Sequence, residues 1–375
     1  MTELYATIGK AVADIDAAAW DRLNDGNPFT SHAFLSALEI SGSVGPNSGW
    51  SPAPITICSG SDEIIGALPA YLKSHSQGEY IFDHHWADAY ERAGGQYYPK
   101  LQIGSPFSPV PGPRLLLRDP SLAASLLAAA QAVVQQNGLS SAHATFVEPA
   151  QLALFRDASW LIRTGSQFHW CNRGYGNFDD FLDALSSRKR KAIRKERAAA
   201  QGAARIERLT GAQITADDWD AFWIFYQDTG MRKWGRPYLT REFFDHLGRM
   251  MGEKLVLFIA YRGDRRVAGA LNIVGPDCLY GRYWGCTEDI PFLHFELCYY
   301  QAIDYAIGCG LARVEAGAQG EHKLARGYEA VPTYSAHYIA DPGFRAAIAD
   351  FLRREEQAVA REIEFLGEMT PFKRG

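Results

Sequence analysis

The chain has 375 residues, 47% of them hydrophobic, enough to bury two cores of ordinary domain size. A formal net charge of −5 and a pI near 6.1 exclude a global attraction to nucleic acid or anionic membrane. Six cysteines, at 58, 171, 278, 286, 298 and 309, form no CxxC pair and mostly sit in apolar runs. They read as buried thiols of a reducing compartment, not as a zinc site or disulfide frame. The first twenty residues carry acids and lack a signal-like apolar core, and no apolar span reaches about 18 residues. A soluble, cytoplasmic protein is expected.

Two short helices are expected over 14–23 and 31–40, separated by Asn27-Pro28, with Thr30 or Ser31 capping the second. PITICSGSDEIIGALPAYLK (54–73) reads as strand, turn and strand. The next segment, 83–114, is too long for an inert loop and too aromatic for disorder. It is read as a loop packed across a cleft between two halves. Tyr97, Tyr98 and Lys100 would face that cleft, with His84 and His85 as further substrate contacts. A purely structural lid is the alternative. Adjacent histidines on an extended chain point apart, and beyond Asp88 no third ligand is in clear register, so no metal is assigned. A helix at 122–136 ends at Asn137-Gly138, and strands follow at 141–147 and 160–170.

Between the halves, Arg188, Lys189, Arg190, Lys191, Arg194, Lys195 and Arg197 place seven bases in ten residues of an acidic chain. At helical spacing, some of them must face solvent or an anion. Arg190, Lys191, Arg194 and Lys195 are candidates for phosphate contact, with a solvated helix face as the alternative. Helices at 217–229 and 240–251 flank GMRKWGRPYLT, where Arg232, Lys233 and Arg236 accompany Trp234 and Tyr238. Guanidinium groups and rings can clamp an anionic, planar ligand. Surface anchoring of the loop competes with that reading.

The last third is the most patterned. Strands at 254–262 and 266–275 join through Gly263-Asp264, a hairpin signal, and a third strand, 278–285, carries Tyr283 and Trp284 as candidate contacts. A long helix, 292–310, ends at Gly310. A short strand at 312–317, a polar loop and a final strand at 332–339 follow. Hairpin, helix and strand thus occur twice. This order predicts a duplicated α/β architecture with lobes at 1–170 and 171–375.

The segments SRKRKAIRKER, DTGMRKWGRPYLTREFF and HKLARGYE make the second half resemble the Fem-type peptidoglycan aminoacyltransferases. With QFHWCNRGY, YGRYWGC and FLHFELCYYQAIDYA added, nearly the whole chain resembles the FemAB-like family of predicted N-acyltransferases. The resemblance implies two GNAT-like domains in tandem, with mixed, mainly antiparallel sheets flanked by helices. It implies transfer of an acyl or aminoacyl group from acyl-CoA or aminoacyl-tRNA to an amine, such as a peptidoglycan precursor, with no permanently bound cofactor. There is no sustained heptad arm, and no Q/R-x-x-G-x-G/A loop precedes the long helix, so the donor stays open. The alternative is a non-catalytic protein of the same fold that recognises a cell-wall precursor or peptide.

Acyl transfer to an amine requires loss of a proton, stabilisation of an oxyanion and alignment of both substrates. Glu315 in an apolar strand must be paired or functional. His322 has the free pKa of a base, with Glu321 able to orient it and Gln319 beside them. Lys323 matches the lysine that Fem-type enzymes place near the donor, and is expected to be reachable by solvent. His294 and Glu296 form a second set. An exposed, solvated loop at 318–323 is the competing view.

Overall fold

The computed structural model describes residues 4–60, 62–233, 237–317 and 320–373, with backbone alone at 231–233 and 321. Two compact units are present. The first runs to Gly165 and includes Pro332–Arg361; the second comprises Ser166–Val331 and the residues from Glu362 on. The chain therefore changes unit inside one strand and returns inside another, where the sequence suggested a single boundary after residue 170.

The first unit begins with β1 (Leu4–Ile8), α1 (Ala17–Asp21) and α2 (His32–Ile40). Side-chain caps set these helix starts: Asp16 accepts from the Ala19 amide and Ser31 from the Phe34 amide. Strands β2 (Trp50–Pro52), β3 (Ile55–Ser59), β4 (Ile64–Leu68) and β5 (Ala70–Lys73) follow. The segment at 83–114 is not one loop. It holds α3 (His84–Arg92) and β6 (Lys100–Ile103), so His84-His85 is helical, not extended. Trp86, Ala87 and Tyr90 form the helical stripe that the surrounding polar residues obscure.

Next come β7 (Leu116–Leu117), α4 (Ala123–Gln136), β8 (Ser141–Val147), α5 (Leu152–Asp157) and the start of β9 (Leu161–Cys171). One sheet has the order β1-β3-β4-β7. In the other, β2, β5 and β6 pair antiparallel, and β6 then meets β8 in parallel at Leu101↔Ala142, Gln102↔His143 and Ile103↔Ala144. The apolar face of this sheet, with Leu101, Ile103, Ala142 and Ala144, packs with Leu126, Leu127, Ala130 and Val134 of α4.

The second unit contains α6 (Phe178–Ala184), α7 (Ser187–Ala203), β10 (Arg205–Thr210), α8 (Ala216–Lys233) and α9 (Arg241–Met251). Strands β11 (Leu255–Arg262), β12 (Arg265–Val274) and β13 (Cys278–Cys286) form the expected meander. The long helix is α10 (Leu293–Phe295), a π-helical stretch (Glu296–Tyr300) and α11 (Gln301–Gly308). It leads to β14 (Arg313–Glu315), which joins β13 in parallel and β9 antiparallel. Finally β15 (Glu329–Ile339) carries the chain to the first unit, where it pairs antiparallel with β8, and α12 (Pro342–Glu368) follows. No element is expected from the sequence over the region of α12. Of the cysteines, only Cys58 and Cys278 are buried; Cys309, at the end of α11, is exposed because it leaves the apolar face there.

Two facing glycines let α8 lie directly on this sheet. Gly269 of β12 pairs with Gly285 of β13. A Cβ on Gly269 would come within 2.9 Å of the Phe222 ring, and one on Gly285 would overlap the Phe225 carbonyl. Backbone cannot yield as a side chain can, so Gly285→Ala should destabilise the protein by at least about 1–3 kcal/mol. Gly281→Ala, whose Cβ would meet atoms 3.3 Å or more away, should cost clearly less. Denaturant midpoints of the two variants check this ordering.

Candidate functional site

Two polar clusters stand out, one in each unit. In the second unit the parallel pairing of β13 with β14 has three rungs: Cys278↔Arg313, Leu279↔Val314 and Tyr280↔Glu315. Glu315 is the last residue of its strand and faces His169 on the other side. Its carboxyl is buried; Oε1 accepts from Arg313 Nε at 3.2 Å and Oε2 lies 3.9 Å from His169 Nε2. Burial pushes Glu315 up to about 7 against the pull of Arg313. Burial also holds His169 down at about 3, so this ring is neutral, with Nε2 3.2 Å from Gln167 Oε1.

Lys323 is 1% exposed, which corrects the expectation of a solvent-reachable side chain. The polar loop folds as a short 3-10 helix, Glu321–Arg326, and turns the ammonium inward to donate to the Gly317 carbonyl at 2.8 Å. Burial lowers Lys323 to about 8. Gly317 has a φ of 76°, the conformation that reverses the chain just after β14. His322 is exposed, with Nε2 2.8 Å from the Tyr299 hydroxyl and its ring 6.3 Å from that of His294. Gln319 and the side chain of Glu321 lie outside the described residues.

Glu296 is a satisfied core carboxylate. It accepts from Arg197, from Gln201 at 2.9 Å and from Gln301 at 2.8 Å, tying α7 to the π-helical stretch. That accounts for one base of the cationic run. Arg190 and Arg194 pair with Asp183 and Asp179, each at 3.1 Å, whereas Lys191 and Lys195 are exposed without an ion pair among the described residues. Tyr283 is half-buried against Tyr226 and Phe244, and Tyr238 is half-buried too. Trp284 lines a small pocket with His294. Trp234, Arg236 and the side chains of Arg232 and Lys233 lie outside the described residues.

The first unit holds the cluster that sequence reasoning missed. Its strands alternate over 70–73, 100–103 and 141–144, and the face opposite α4 presents Lys73, Lys100, His143 and His337, all buried. Lys100 donates to Glu79 at 2.8 Å, Asp83 at 2.5 Å and Ser76 at 2.8 Å. Lys73 sits 4.0 Å from Glu79 and 4.0 Å over the Trp50 ring. Tyr97 donates to Asp83 at 2.7 Å, and His143 meets His337 at 2.7 Å between their Nδ1 atoms. One ring must donate and the other accept, which requires opposite tautomers.

Burial lowers Lys73 to about 7 and raises Glu79 to about 7. For Lys100, burial pulls downward, but Glu79 and Asp83 outweigh it and leave the ammonium above its ordinary value. Tyr97 and Lys100 are thus held by carboxylates of their own unit, and Tyr98 is half-buried with its hydroxyl 2.8 Å from Ser76. His84 and His85 are exposed on the first turn of α3 and take no part. A signal was present: the tripeptide Ser-Ala-His occurs at 141–143 and 335–337, and the two copies pair antiparallel with His143 opposite His337.

An antiparallel meander, a crossover helix and a three-rung parallel pairing, present in both units, define a tandem GNAT-like fold. The chain belongs to the FemAB_like family, described as peptidoglycan biosynthesis/recognition, whose model matches residues 11–374. Among solved structures it is similar to L-PGS from Bacillus licheniformis (TM-score 0.56, 10% identity, 92% of this chain and 99% of that one). It is also similar to FemX (TM-score 0.55, 12% identity, 89% and 98%). At these identities the likeness is one of fold. No curated protein matches the sequence. Among the described residues no helix is long and apolar enough to cross a membrane.

The buried ions make two predictions. Lys100→Met strands Glu79 and Asp83 without their counter-ion and should cost about 3–5 kcal/mol in chemical denaturation. The second concerns acid. Burial pushes His143, His169 and His337 down, the first two to about 3 from an ordinary 6.5, so across that window the unfolded chain binds more protons and acid favours unfolding. Glu79 and Glu315, raised from 4.5 to about 7, oppose this only above pH 4.5. Glu39 and Glu148, also raised by burial, add to that opposition, so the thermal midpoint should change little down to about pH 4.5 and fall steeply below it, as calorimetry across that range can show.

Proposed function

We propose that the protein transfers an acyl or aminoacyl group from an activated donor to a primary amine, with catalysis in the second unit. The carrying observation is the pair of buried titratable groups flanking the end of β14. Glu315, raised to about 7, is suited to take a proton from an attacking ammonium. Lys323, lowered to about 8, is still largely charged at neutral pH, and its ammonium suits the oxyanion that forms on the donor carbonyl. His322, exposed and bonded to Tyr299, is better suited to orient a substrate than to act as the buried base. Lys191 and Lys195, with Arg190 and Arg194 beside them, suit the phosphates of acyl-CoA or aminoacyl-tRNA. A peptidoglycan precursor is the acceptor that agrees with the family description.

Recognition without chemistry is the second reading, favoured by the Lys323–Gly317 hydrogen bond, which already satisfies the ammonium. Incubation with acyl-CoAs or charged tRNAs and precursor amines, followed by mass spectrometry, separates the two. Precursor binding with no product from any donor would support the binder. For the transferase, kcat/KM should rise with pH through about 7 as Glu315 loses its proton, then fall beyond about 8 as Lys323 loses its own. Lys323→Met should lower kcat by roughly 10² to 10³. Glu315→Gln should remove the ascending limb.

A further inference from the structure

Lys323 is turned inward by a helix that is poorly suited to hold itself. The 3-10 stretch Glu321–Arg326 has six residues, and 3-10 runs beyond about four are uncommon because their hydrogen bonds are badly aligned. The ammonium donates to the Gly317 carbonyl, which offsets only part of the cost of burying it. A lysine free to rotate carries its charge to water along a flexible stem. A contact from outside the turn has to prevent this.

Arg326 supplies it. The side chain is buried, and its guanidinium carbon lies 3.4 Å from the centre of the Phe295 ring on α10. Nη1 donates to the His322 carbonyl at 2.8 Å, and so grips the peptide unit that joins His322 to Lys323. Nη2 donates to both carboxylate oxygens of Glu196, at 3.1 and 3.0 Å. Glu196 belongs to α7 and also accepts from the Tyr300 hydroxyl of the π-helical stretch. One planar fork thus ties the turn to two other elements, a geometry that a lysine does not reproduce. We infer that Arg326 is a positioning residue: by fastening the His322–Lys323 peptide to α7, it keeps the Lys323 ammonium aimed inward. The inference rests on the transferase reading for the use made of Lys323, and adds the residue that aims it. The same helix carries Lys191 and Lys195, so the fastening also fixes the phosphate candidates relative to the turn.

The aim of the amine can be read without turnover, by NMR titration of the full chain with isotope-labelled lysine side chains. Lys323, assigned by the loss of its signal in Lys323→Met, should titrate at about 8, because burial outweighs the upward pull of the Cys298 thiol facing it. His169, which also faces it, is neutral there. In Arg326→Gln the amine should escape to water and titrate towards its ordinary 10.5, and Arg326→Lys should not bring it back to about 8. Glu196→Gln, which leaves the turn's own sequence intact, should move it the same way by less. A folded Arg326→Gln protein in which Lys323 still titrates near 8 overturns the inference; where that variant does not fold, an unmoved value in Glu196→Gln does so. A wild-type value near 10.5 overturns it too, since the amine would already be in water. In the transferase, Arg326→Gln should lower kcat roughly 10²-fold, the cost of a small misplacement, with the KM of the acceptor little changed. A moved titration with no product from any donor defeats the transferase reading and leaves Arg326 its role. Product formed with the titration unmoved does the reverse.

Discussion

Three rungs of parallel ladder govern what the second unit can do. Strand β14 is only Arg313–Glu315, and it meets β13 at Cys278, Leu279 and Tyr280. Because β13 continues to Cys286, its later residues, including Tyr283 and Trp284, have no parallel partner in that ladder. The chain after Glu315 must turn at once, and Gly317 with its left-handed backbone permits it. That turn brings Lys323 back under the strand end. A longer β14 would extend the pairing across this position and leave no room for the turn. The short strand is therefore a condition for having buried acid and buried base so close in sequence, each held near neutrality by the same low-polarity surroundings.

Much of this was readable in advance, and the reasons differ by element. The meander over residues 255–286 and the helix after it have long apolar runs bounded by turn residues, so their type and order follow from pattern alone. Glu315 was recognisable because a carboxylate in an apolar strand has few bland explanations. The inward turn of Lys323 was not, since a 3-10 helix in a polar stretch has no periodicity to detect. Likewise α3 hides behind His84, His85 and Asp88, and only Trp86 and Tyr90 betray its inner face. In the sequence Lys73 merely ends an expected strand, and Lys100 is expected in a loop facing a cleft. Their burial depends on carboxylates supplied by residues 79 and 83, a tertiary fact that neither strand encodes.

The two clusters show different uses of buried charge. In the first unit, Lys100 is surrounded by two carboxylates and a hydroxyl, so desolvation is offset by several short hydrogen bonds. Such a group is a tether: it fixes the segment carrying Glu79 and Asp83 against the sheet. In the second unit, Lys323 has one carbonyl, and Glu315 has the Arg313 guanidinium and the Cys278 thiol. Lys100 is kept charged by its partners, whereas burial brings Lys323 and Glu315, like Lys73 and Glu79 of the first unit, close to a change of protonation state, which is the condition acid–base chemistry needs.

The pairing of β8 with β15 has a consequence for synthesis. His143 and His337 are 194 positions apart, yet they share one hydrogen bond inside one sheet. At about 5–20 residues per second, the ribosome needs roughly 10–40 s to deliver the second histidine after the first. During that interval β8 can pair with β6 but has an open edge on its other side, a ready template for strands of other chains. Ser141, His143 and Thr145 make one face of that waiting edge polar, and so less adhesive than the apolar strand it will later resemble. A nascent chain stalled or truncated before residue 332 would expose this edge without remedy, and should be a client for chaperones that shield unpaired strands.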